Sequence, residues 1–379
     1  MTISTTHAGS LPRPPELVAA LNDLSRDSND NEAAERVGAF VDDAVARSVA
    51  RQQASGIDIG NDGEQGRESF FTYVQHRMTG FGPGDGATRS WTDMTEYPDF
   101  LELRHAQLSG RTRVNLARPP QAVGEVGYGS TDDVDADCQR LAGHPFARAF
   151  MTSASPGIVV CAMADRFYHD RRRYLDAVGA ALATEYRHIV DAGLLLQIDA
   201  PDLAMERHGL FGDQPLSAFL EFAEQVIDVI NQALDGLPPE NVRLHVCWGN
   251  YEGPHVHDTP LAELLPVLYQ ANVGGLLVSG ANPRHEHEYR EFERQPLPDS
   301  WTLATGVIDT TTNYVEHPQV VADRIDRVVQ AVGDPTRVLA CTDCGFDTSA
   351  GFGLVAEDVA WAKMEAMVQG AEIASERWF

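Results

Sequence analysis

The chain has 379 residues, of which 43% are hydrophobic, and carries a formal net charge of −27 at pH 7. This charge disfavours binding to nucleic acids and to anionic membranes, and an odd number of cysteines, five, argues against a disulfide framework. We expect a cytoplasmic protein, because no apolar run approaches the roughly 20 residues that span a bilayer and the N-terminus lacks a signal-peptide pattern.

Short apolar runs alternate with amphipathic stretches along the chain. Eight runs predict strands, near residues 5–9, 57–61, 158–163, 194–199, 242–247, 275–279, 301–307 and 338–342. Amphipathic periodicity predicts helices over 31–54, 171–192, 216–234, 261–271, 318–332 and 358–375. Residues 68–145 are rich in Gly, Pro and Asp, and predict a long excursion with helical pieces near 97–109 and an irregular arm around 112–140.

Continuous apolar strands separated by helices predict a parallel sheet that is covered on both faces. Eight such units favour an α/β fold of the (β/α)8 TIM-barrel type, a single domain over residues 1–379 with the excursion between strands 2 and 3. An open doubly wound sheet is the alternative, but no Gly-x-Gly-x-x-Gly turn follows the first strand. Mostly polar residues stand at the predicted strand ends, where barrel enzymes place their sites: Ser10, Asp62, Glu64, Met163, Asp165, Asp199, Asp202, His245, Cys247, Ser279, Asn282, Asp309 and Cys344.

A metal-binding pattern stands at the end of the fifth predicted strand, in His245-Val-Cys247. Alternate side chains of a strand point the same way, so this imidazole and this thiol project to one side. The eighth predicted strand ends in two more thiols, Cys341 and Cys344. Soft ligands at two distant strand ends predict a zinc site that the fold assembles, and the spacing excludes a zinc finger.

Five short motifs resemble, in order, those of the cobalamin-independent methionine synthase superfamily. They are Gly9-Ser10-Leu11-Pro12, Gly63-Glu64, Ile198-Asp199 with Pro201, His245-Val-Cys247 and Asp343-Cys344-Gly345. The resemblance extends over the whole chain. In the full-length synthases it corresponds only to the catalytic C-terminal barrel. It implies a catalytic Zn²⁺ held by His245, Cys247 and Cys344, which binds a small thiol as thiolate for attack on an electrophilic carbon. Cys344 is preferred to Cys341 as the zinc ligand of this pair, and the possibility that both thiols bind the metal stays open.

The resemblance also implies residues that bind the substrate. Ser10, Glu64 and Asp199 match positions that hold the amino acid part of homocysteine in the synthases. The two carboxylates suit a substrate ammonium group and oppose a sulfonate, unless an arginine such as Arg13 or Arg67 lies close. Two candidate proton donors near the seventh strand and one candidate pocket wall complete the expected site: Asp309, Tyr314 and Trp248.

Two positions depart from the synthases. Ser279 stands where they carry a zinc-ligating glutamate, and Thr311 stands where a histidine is thought to protonate the folate leaving group. A tertiary amine leaves poorly without a proton, so both changes slightly favour a shorter branch, the epoxyalkane:coenzyme M transferases. That branch is thought to hold its metal with one His and two Cys. The fourth ligand stays open between water and nearby side chains, namely residues 284–288, His255, His257 and Asp258.

Several functions stay open. Methyl transfer to homocysteine or a similar thiol, from methylfolate or another donor, competes with the opening of an epoxide by coenzyme M. A protein of a different class is also possible, namely a non-catalytic barrel in which the metal has only a structural role. A metal-free decarboxylase is a third, against which the His-x-Cys and Asp-Cys-Gly motifs argue. We expect a small thiol and an alkyl donor as partners, and the sequence leaves a homo-oligomer open.

Overall fold

The computed structural model describes residues 1–26, 30–86 and 91–379. Within these residues seven strands form one parallel sheet and two more form an antiparallel pair. In chain order the strands are β1 (Ile59–Gly60), β2 (Met78–Gly82), β3 (Gln121–Tyr128), β4 (Arg148–Ala154), β5 (Leu195–Asp199), β6 (Val242–Val246), β7 (Gly275–Val278), β8 (Thr302–Ile308) and β9 (Val338–Thr342). The parallel sheet runs β1-β4-β5-β6-β7-β8-β9, so neighbouring barrel strands follow one another along the chain.

Residues 5 and 6 close this sheet into a ring. Thr5 forms a parallel bridge with Ala340 of β9, and Thr6 forms one with Ile59 of β1. The N–H of Thr6 donates to the carbonyl of Ala340 over 2.9 Å, and the N–H of Ile59 donates to the carbonyl of Thr5 over 3.0 Å. The edges of the seven-stranded sheet are thus joined through an eighth segment. The predicted (β/α)8 TIM barrel is confirmed.

Helices separate most of the barrel strands. In chain order they are α1 (Pro15–Arg26), α2 (Asn31–Ala54), α3 (Val74–Arg77), α4 (Thr92–Thr95), α5 (Pro98–Leu108), α6 (Asp132–Leu141), α7 (Pro156–Ala162), α8 (Arg171–Asp191), α9 (Asp202–Met205), α10 (Leu216–Ala233), α11 (Leu261–Leu268), α12 (Glu291–Arg294), α13 (Pro318–Val332) and α14 (Glu357–Trp378). The helices α2 and α13 have the bounds that apolar periodicity predicts, and both bury the apolar face of that period. No helix of the described residues is long and apolar enough to cross a membrane.

The third barrel strand is not where the sequence predicts it. The apolar run at 158–163 belongs to helix α7, and the strand is β4, ten residues earlier along the chain. Ser155 caps this helix, since its hydroxyl accepts from the N–H of Ile158 over 2.9 Å, and Pro156 occupies the first turn. A short buried apolar run fits a helix and a strand equally well, so the Ser-Pro start signal decides. Met163 and Asp165 therefore follow a helix, which corrects their placement at a strand end.

The excursion between β1 and β4 is more ordered than predicted. It contains α3 to α6 and the antiparallel pair of β2 and β3, and its residues 87–90 lie outside the described part. The stretch around 112–140, predicted as irregular, includes β3 and α6, so that prediction is wrong. The helix α1 has no counterpart among the predicted helices. In each case contacts with distant parts of the chain, invisible in a local pattern, decide the structure.

Candidate metal centre

Three soft ligands meet at the C-terminal mouth of the barrel. His245 lies in β6, Cys247 follows the end of that strand, and Cys344 lies two residues beyond the end of β9. One ligand-type atom from each lies within 4.8 Å of the other two, and all three residues are buried. The structure therefore brings together the side chains that the sequence predicts as zinc ligands.

The geometry of these side chains fits a zinc ion. The two Sγ atoms of Cys247 and Cys344 are 3.9 Å apart. Disulfide sulfurs lie about 2.05 Å apart, whereas two thiolates bound to one tetrahedral Zn²⁺ at about 2.3 Å lie about 3.8 Å apart. The buried Nε2 atom of His245 has no hydrogen-bond partner among the described residues. An imidazole nitrogen and two thiolates are a donor set that zinc prefers.

Asp199 orients the histidine. Its Oδ1 atom lies 2.8 Å from Nδ1 of His245 and accepts a second hydrogen bond, of 2.7 Å, from Nε2 of Gln197. Burial opposes protonation of His245, but its hydrogen bond to Asp199 and the nearby thiol of Cys247 raise its pKa to about 10. A carboxylate at Nδ1 holds the proton there and leaves Nε2 as the metal-binding atom. A divalent cation held by Nε2 would take the place of the second proton.

The two thiols of the site are electrostatically linked. The hydrogen bond from Cys344 lowers the pKa of Cys247, burial opposes this, and His245 adds to the lowering. The same hydrogen bond, together with burial, raises the pKa of Cys344. Without a metal the pair therefore favours a single thiolate, on Cys247, and a bound cation supplies the charge that ionises both.

Cys341 lies apart from this group. It packs in a small apolar cluster with Ala8, Leu277 and Ala304, and it is fully buried. Burial, with a further contribution from Asp343, raises the pKa of Cys341 to about 12 against the lowering effect of Arg243. A buried thiol in such surroundings behaves as a small hydrophobic residue. The structure therefore assigns the position facing Cys247 to Cys344.

Asp343 fixes the loop that presents Cys344. Its carboxylate accepts hydrogen bonds of 2.7–2.8 Å from three successive backbone N–H groups, those of Gly280, Ala281 and Asn282. The hydroxyl of Ser279 donates to the backbone carbonyl of Asp343 over 2.9 Å. Ser279, which stands at the position of the glutamate in the synthases, thus serves to join two loops. The sequence shows Asp343 only as part of a motif and gives no sign of this role.

A cavity of about 90 Å³ opens beside the three ligands. Ser10, Glu64 and Asp199 line it, as expected, together with Phe70 and Asn250. The hydroxyl of Ser10 and Oε2 of Glu64 are buried and lack hydrogen-bond partners in the described part of the chain. Both groups are therefore available to a ligand.

The backbone around Glu64 is adapted to this cavity. Glu64 has a φ of 54° and Gly9 a φ of 133°. A Cβ atom on Gly9 would collide with Oε1 of Glu64, so only glycine permits this approach. Burial, followed by the charge of Asp199, raises the pKa of Glu64 to about 7, although Arg67 and Arg13 counteract it. A left-handed backbone at a non-glycine residue is typical of functional sites.

The other expected site residues lie outside this cavity. Arg13 donates to a carboxylate oxygen of Asp347 over 3.0 Å, and Arg67 donates to the hydroxyl of Thr152, also over 3.0 Å. Trp248 is buried and stacks on His285, with ring centroids 3.7 Å apart. The carboxylate of Asp309 accepts hydrogen bonds from Thr311 and Thr312, and 78% of Tyr314 is exposed. The candidate fourth ligands His255 and Asp258 belong to a separate cluster with His285.

A second cavity, of about 210 Å³, adjoins the first. The two share Phe70, Asn250 and Thr348, and the second is also lined by Thr311 and Arg104. Arg104 comes from helix α5 of the excursion, and its guanidinium lies 5.7 Å from the ring centroid of Tyr251. Sequence patterns gave no signal for Arg104, because its place depends on how the excursion folds over the barrel mouth.

The chain is similar in sequence to proteins that are named as enzymes. No protein-family model matches the chain. A methionine synthase of Sulfolobus acidocaldarius is 23% identical over 377 residues, which cover 99% of this chain and 93% of that protein. A 2-hydroxypropyl-CoM lyase of Xanthobacter autotrophicus is 22% identical over 364 residues, which cover 88% of this chain and 85% of the lyase.

The fold has a counterpart among solved structures. A B12-independent methionine synthase from a Shewanella species superposes with a TM-score of 0.72 at 21% identity, covering 100% of this chain and 99% of that chain. The similarity therefore includes both the barrel and the excursion.

Proposed function

Because the chain belongs to the cobalamin-independent methionine synthase superfamily, we propose that it is a zinc-dependent enzyme that alkylates a small thiol. The convergence of His245, Cys247 and Cys344 beside a cavity carries this proposal. Homologues of the chain include enzymes of the methionine synthase and CoM lyase types. A metal held by three side chains leaves a coordination position for a substrate, as in catalytic rather than structural zinc sites.

The residues around the cavity define the reaction. His245, Cys247 and Cys344 would hold a Zn²⁺ ion, which would supply the positive charge that ionises a substrate thiol at neutral pH. Asp199 keeps the imidazole of His245 in its metal-binding tautomer. The substrate sulfur forms a bond to the carbon of the alkyl donor, while the bond between that carbon and the leaving group breaks. The electron pair of the broken bond departs with the leaving group, which afterwards takes up a proton.

The charges around the cavity favour an amino thiol of the homocysteine type. Glu64 and Asp199 present carboxylates there, and no Lys or Arg of the described residues lines the same cavity. A carboxylate beside an ammonium group stabilises it, whereas a sulfonate in this space would be repelled. Ser10 offers a further hydroxyl that lacks a partner among described groups. These features support an ammonium-bearing thiol over coenzyme M.

Opening of an epoxide by coenzyme M is the second candidate. It is supported by the similarity to the lyase of Xanthobacter autotrophicus and by Thr311, which stands where the synthases carry a histidine. Arg104 supports it too, since its guanidinium has no hydrogen bond or ion pair with the described residues and lines the adjoining cavity. A sulfonate would then extend into the second cavity while its thiol reaches the metal.

Product analysis separates the two reactions. The zinc-loaded protein is incubated with homocysteine and methyl donors, and separately with coenzyme M and epoxypropane, and products are identified by mass. We expect a methylated amino thiol from the first incubation. A hydroxypropyl product from the second supports the alternative instead. A protein that gives neither, and whose metal coordination does not change on addition of a thiol, is a barrel in which the metal is only structural.

A further inference from the structure

Three buried side chains from three different loops converge away from the zinc ligands. Asp93 lies in helix α4 of the excursion, His208 follows helix α9, and Asp258 lies in the loop after β6. One ligand-type atom from each lies within 4.8 Å of the other two. Asp93 is fully buried, and the side chains of His208 and Asp258 are 2% and 1% exposed. One imidazole and two carboxylates thus share a space that solvent hardly reaches.

Several polar atoms of these side chains form no hydrogen bond within the described residues. Oδ1 of Asp93, Oδ1 of Asp258 and both ring nitrogens of His208 form no hydrogen bond within the described residues. Buried polar side-chain atoms nearly always have a partner in a native protein. Nε2 of His208 and Oδ1 of Asp258 face each other at 3.4 Å. Oδ1 of Asp93 is a buried atom of this group that has no partner among the described residues, which indicates that a ligand from outside the chain binds there.

The spacing of these atoms is compatible with a metal ion. Nε2 of His208 lies 3.4 Å from Oδ1 of Asp258, beyond the usual 2.7–3.2 Å of an N–H···O hydrogen bond. The edge of a tetrahedral site with bonds of about 2.1 Å to nitrogen and oxygen is about 3.4 Å. The other oxygen of Asp258 already accepts hydrogen bonds of 2.7 and 2.8 Å from His255 and His285. Its Oδ1 atom is therefore the one available to a metal.

We propose that Asp93, His208 and Asp258 form a second metal site, which binds a divalent cation of the zinc type. Two carboxylates balance the charge of such an ion, and an imidazole with two carboxylates is a ligand set that first-row divalent cations accept. The ion connects the excursion to two loops at the barrel mouth. No ligand of the first site takes part, so the second site exists whether or not the chain alkylates thiols.

The second site also supports the loop that carries Cys247. Trp248, the next residue, stacks on His285, which in turn hydrogen bonds to Asp258. The main chain of His208 is tied to the excursion as well, since its carbonyl accepts from the N–H and the hydroxyl of Thr92 over 3.2 and 3.0 Å. A cation here therefore stabilises the folded arrangement of both loops.

Metal content tests the proposal directly. The full-length protein is stripped with a chelator, refilled with excess Co²⁺, freed of unbound ions and analysed by elemental analysis. We expect two ions in each wild-type chain, one in His208→Ala, one in Cys247→Ser, and none in the double variant. The matched control is His257→Gln. His257 lies beside Asp258 in the loop after β6, its imidazole is partly exposed and pairs with Glu96, and this variant should keep both ions. A single ion in the wild-type chain overturns the proposal and indicates a buried water instead.

Absorption spectra assign each ion to its site. Cobalt bound to thiolates gives a sulfur-to-metal charge-transfer band in the ultraviolet, and cobalt bound only to nitrogen and oxygen does not. The band should persist in His208→Ala, which also shows that this variant folds, and should be absent from Cys247→Ser. The proposal is overturned if the chain of His208→Ala shows the band and still holds two ions. Failure of the thiol chemistry would leave these counts unchanged, so the two proposals fail separately.

Discussion

Nδ1 of His245 and Oδ1 of Asp199 are 2.8 Å apart, and the two residues are direct partners in the register of β5 and β6. A parallel pairing therefore supplies both the metal ligand and the group that orients it. The same carboxylate lines the cavity, so it acts on the metal and on the substrate space together.

Replacing Asp199 with asparagine should weaken zinc binding. The amide keeps the size of the side chain but lacks the charge that holds the proton on Nδ1 of His245. Loss of such a partner typically lowers metal affinity by about 10- to 100-fold. Competition with a chromogenic chelator measures this. Asp228→Asn, which changes a carboxylate paired with Arg172 on the surface, is the control and should keep wild-type affinity. Equal affinity in both variants would contradict the role of Asp199.

Alanine substitution of the cysteines should divide them into two groups. Cys247→Ala and Cys344→Ala each remove a thiolate ligand, so we expect zinc and activity to be lost together. Cys341→Ala removes a sulfur from an apolar cluster and should keep one zinc at this site, at a stability cost of about 1 kcal/mol. Zinc content after dialysis and activity are measured on the same samples. Stoichiometric zinc in Cys247→Ala would show that the ligand set is wrong.

The sequence predicts the barrel and the cluster of ligands because both follow from local rules. Parallel strands place their C-terminal ends at one mouth, so His245, Cys247 and Cys344 could be assigned to one place without coordinates. Asp199 was predicted to bind substrate, and its contact with His245 was missed. The signal was present, since both residues stand at the ends of consecutive strands.

What the sequence does not predict depends on contacts between distant segments. The run at 158–163 is apolar enough for either a strand or a helix. In the structure it forms the helix α7, which packs against α8 and α10. Arg104 and Asp93 reach the barrel mouth only through the fold of the excursion, for which no periodic pattern exists. Arg13 and Arg67 are buried, and each binds another group of the protein. A local sequence pattern does not tell such an arginine from one that is free to bind an anionic ligand.

Ligand affinity should depend on pH through Glu64. Burial, followed by Asp199, raises the pKa of this carboxyl to about 7, so it is mostly neutral below that pH and charged above it. A charged Glu64 attracts an ammonium group, so affinity for an amino thioether product should rise roughly tenfold as pH increases through about 7. The thioether is used because its sulfur carries no proton and therefore does not titrate. Calorimetry at several pH values measures this, and in Glu64→Gln the rise should be absent. An unchanged pH dependence in that variant would exclude Glu64 as its origin.

Glu185 should stabilise the junction between the barrel and the excursion. Its carboxylate, on α8, accepts hydrogen bonds of 2.7 Å from Ser153, 3.1 Å from Arg77 and 2.8 Å from Tyr128. Two of these donors come from the excursion. Replacing Glu185 with glutamine leaves the buried Arg77 with Asp137 as its remaining carboxylate partner and weakens charged hydrogen bonds, so we expect a loss of about 1.5–3 kcal/mol in the free energy of unfolding. Urea unfolding measures it, and Glu221→Gln on an exposed face is the control.

The stability that Glu185 provides should also have a defined pH range. Burial opposes ionisation, but the charges of Arg77 and Arg67 with the hydrogen bond of Tyr73 lower its pKa from 4.5 to about 2. A lowered pKa in the folded state means that the contribution is complete above about 4.5 and disappears as pH falls towards 2. In Glu185→Gln this acid-dependent part of the stability curve should be missing. A variant whose acid unfolding matches the wild type would contradict this.

Arg104 should contribute to binding of an anionic substrate and not to binding of zinc. Its guanidinium lines the second cavity and forms no ion pair with the residues that the structure describes, and burial lowers its pKa against the effects of Tyr251 and Glu252. A hydrogen bond between charged groups contributes about 1.5–3 kcal/mol, so Arg104→Met should raise KM for a substrate with an acidic group about 10- to 100-fold. Zinc content should not change. Steady-state kinetics with homocysteine, which carries a carboxylate, and with an amino thiol that lacks the carboxylate as control, measures the effect. If both thiols lose affinity equally, the arginine shapes the cavity and does not recognise an anion.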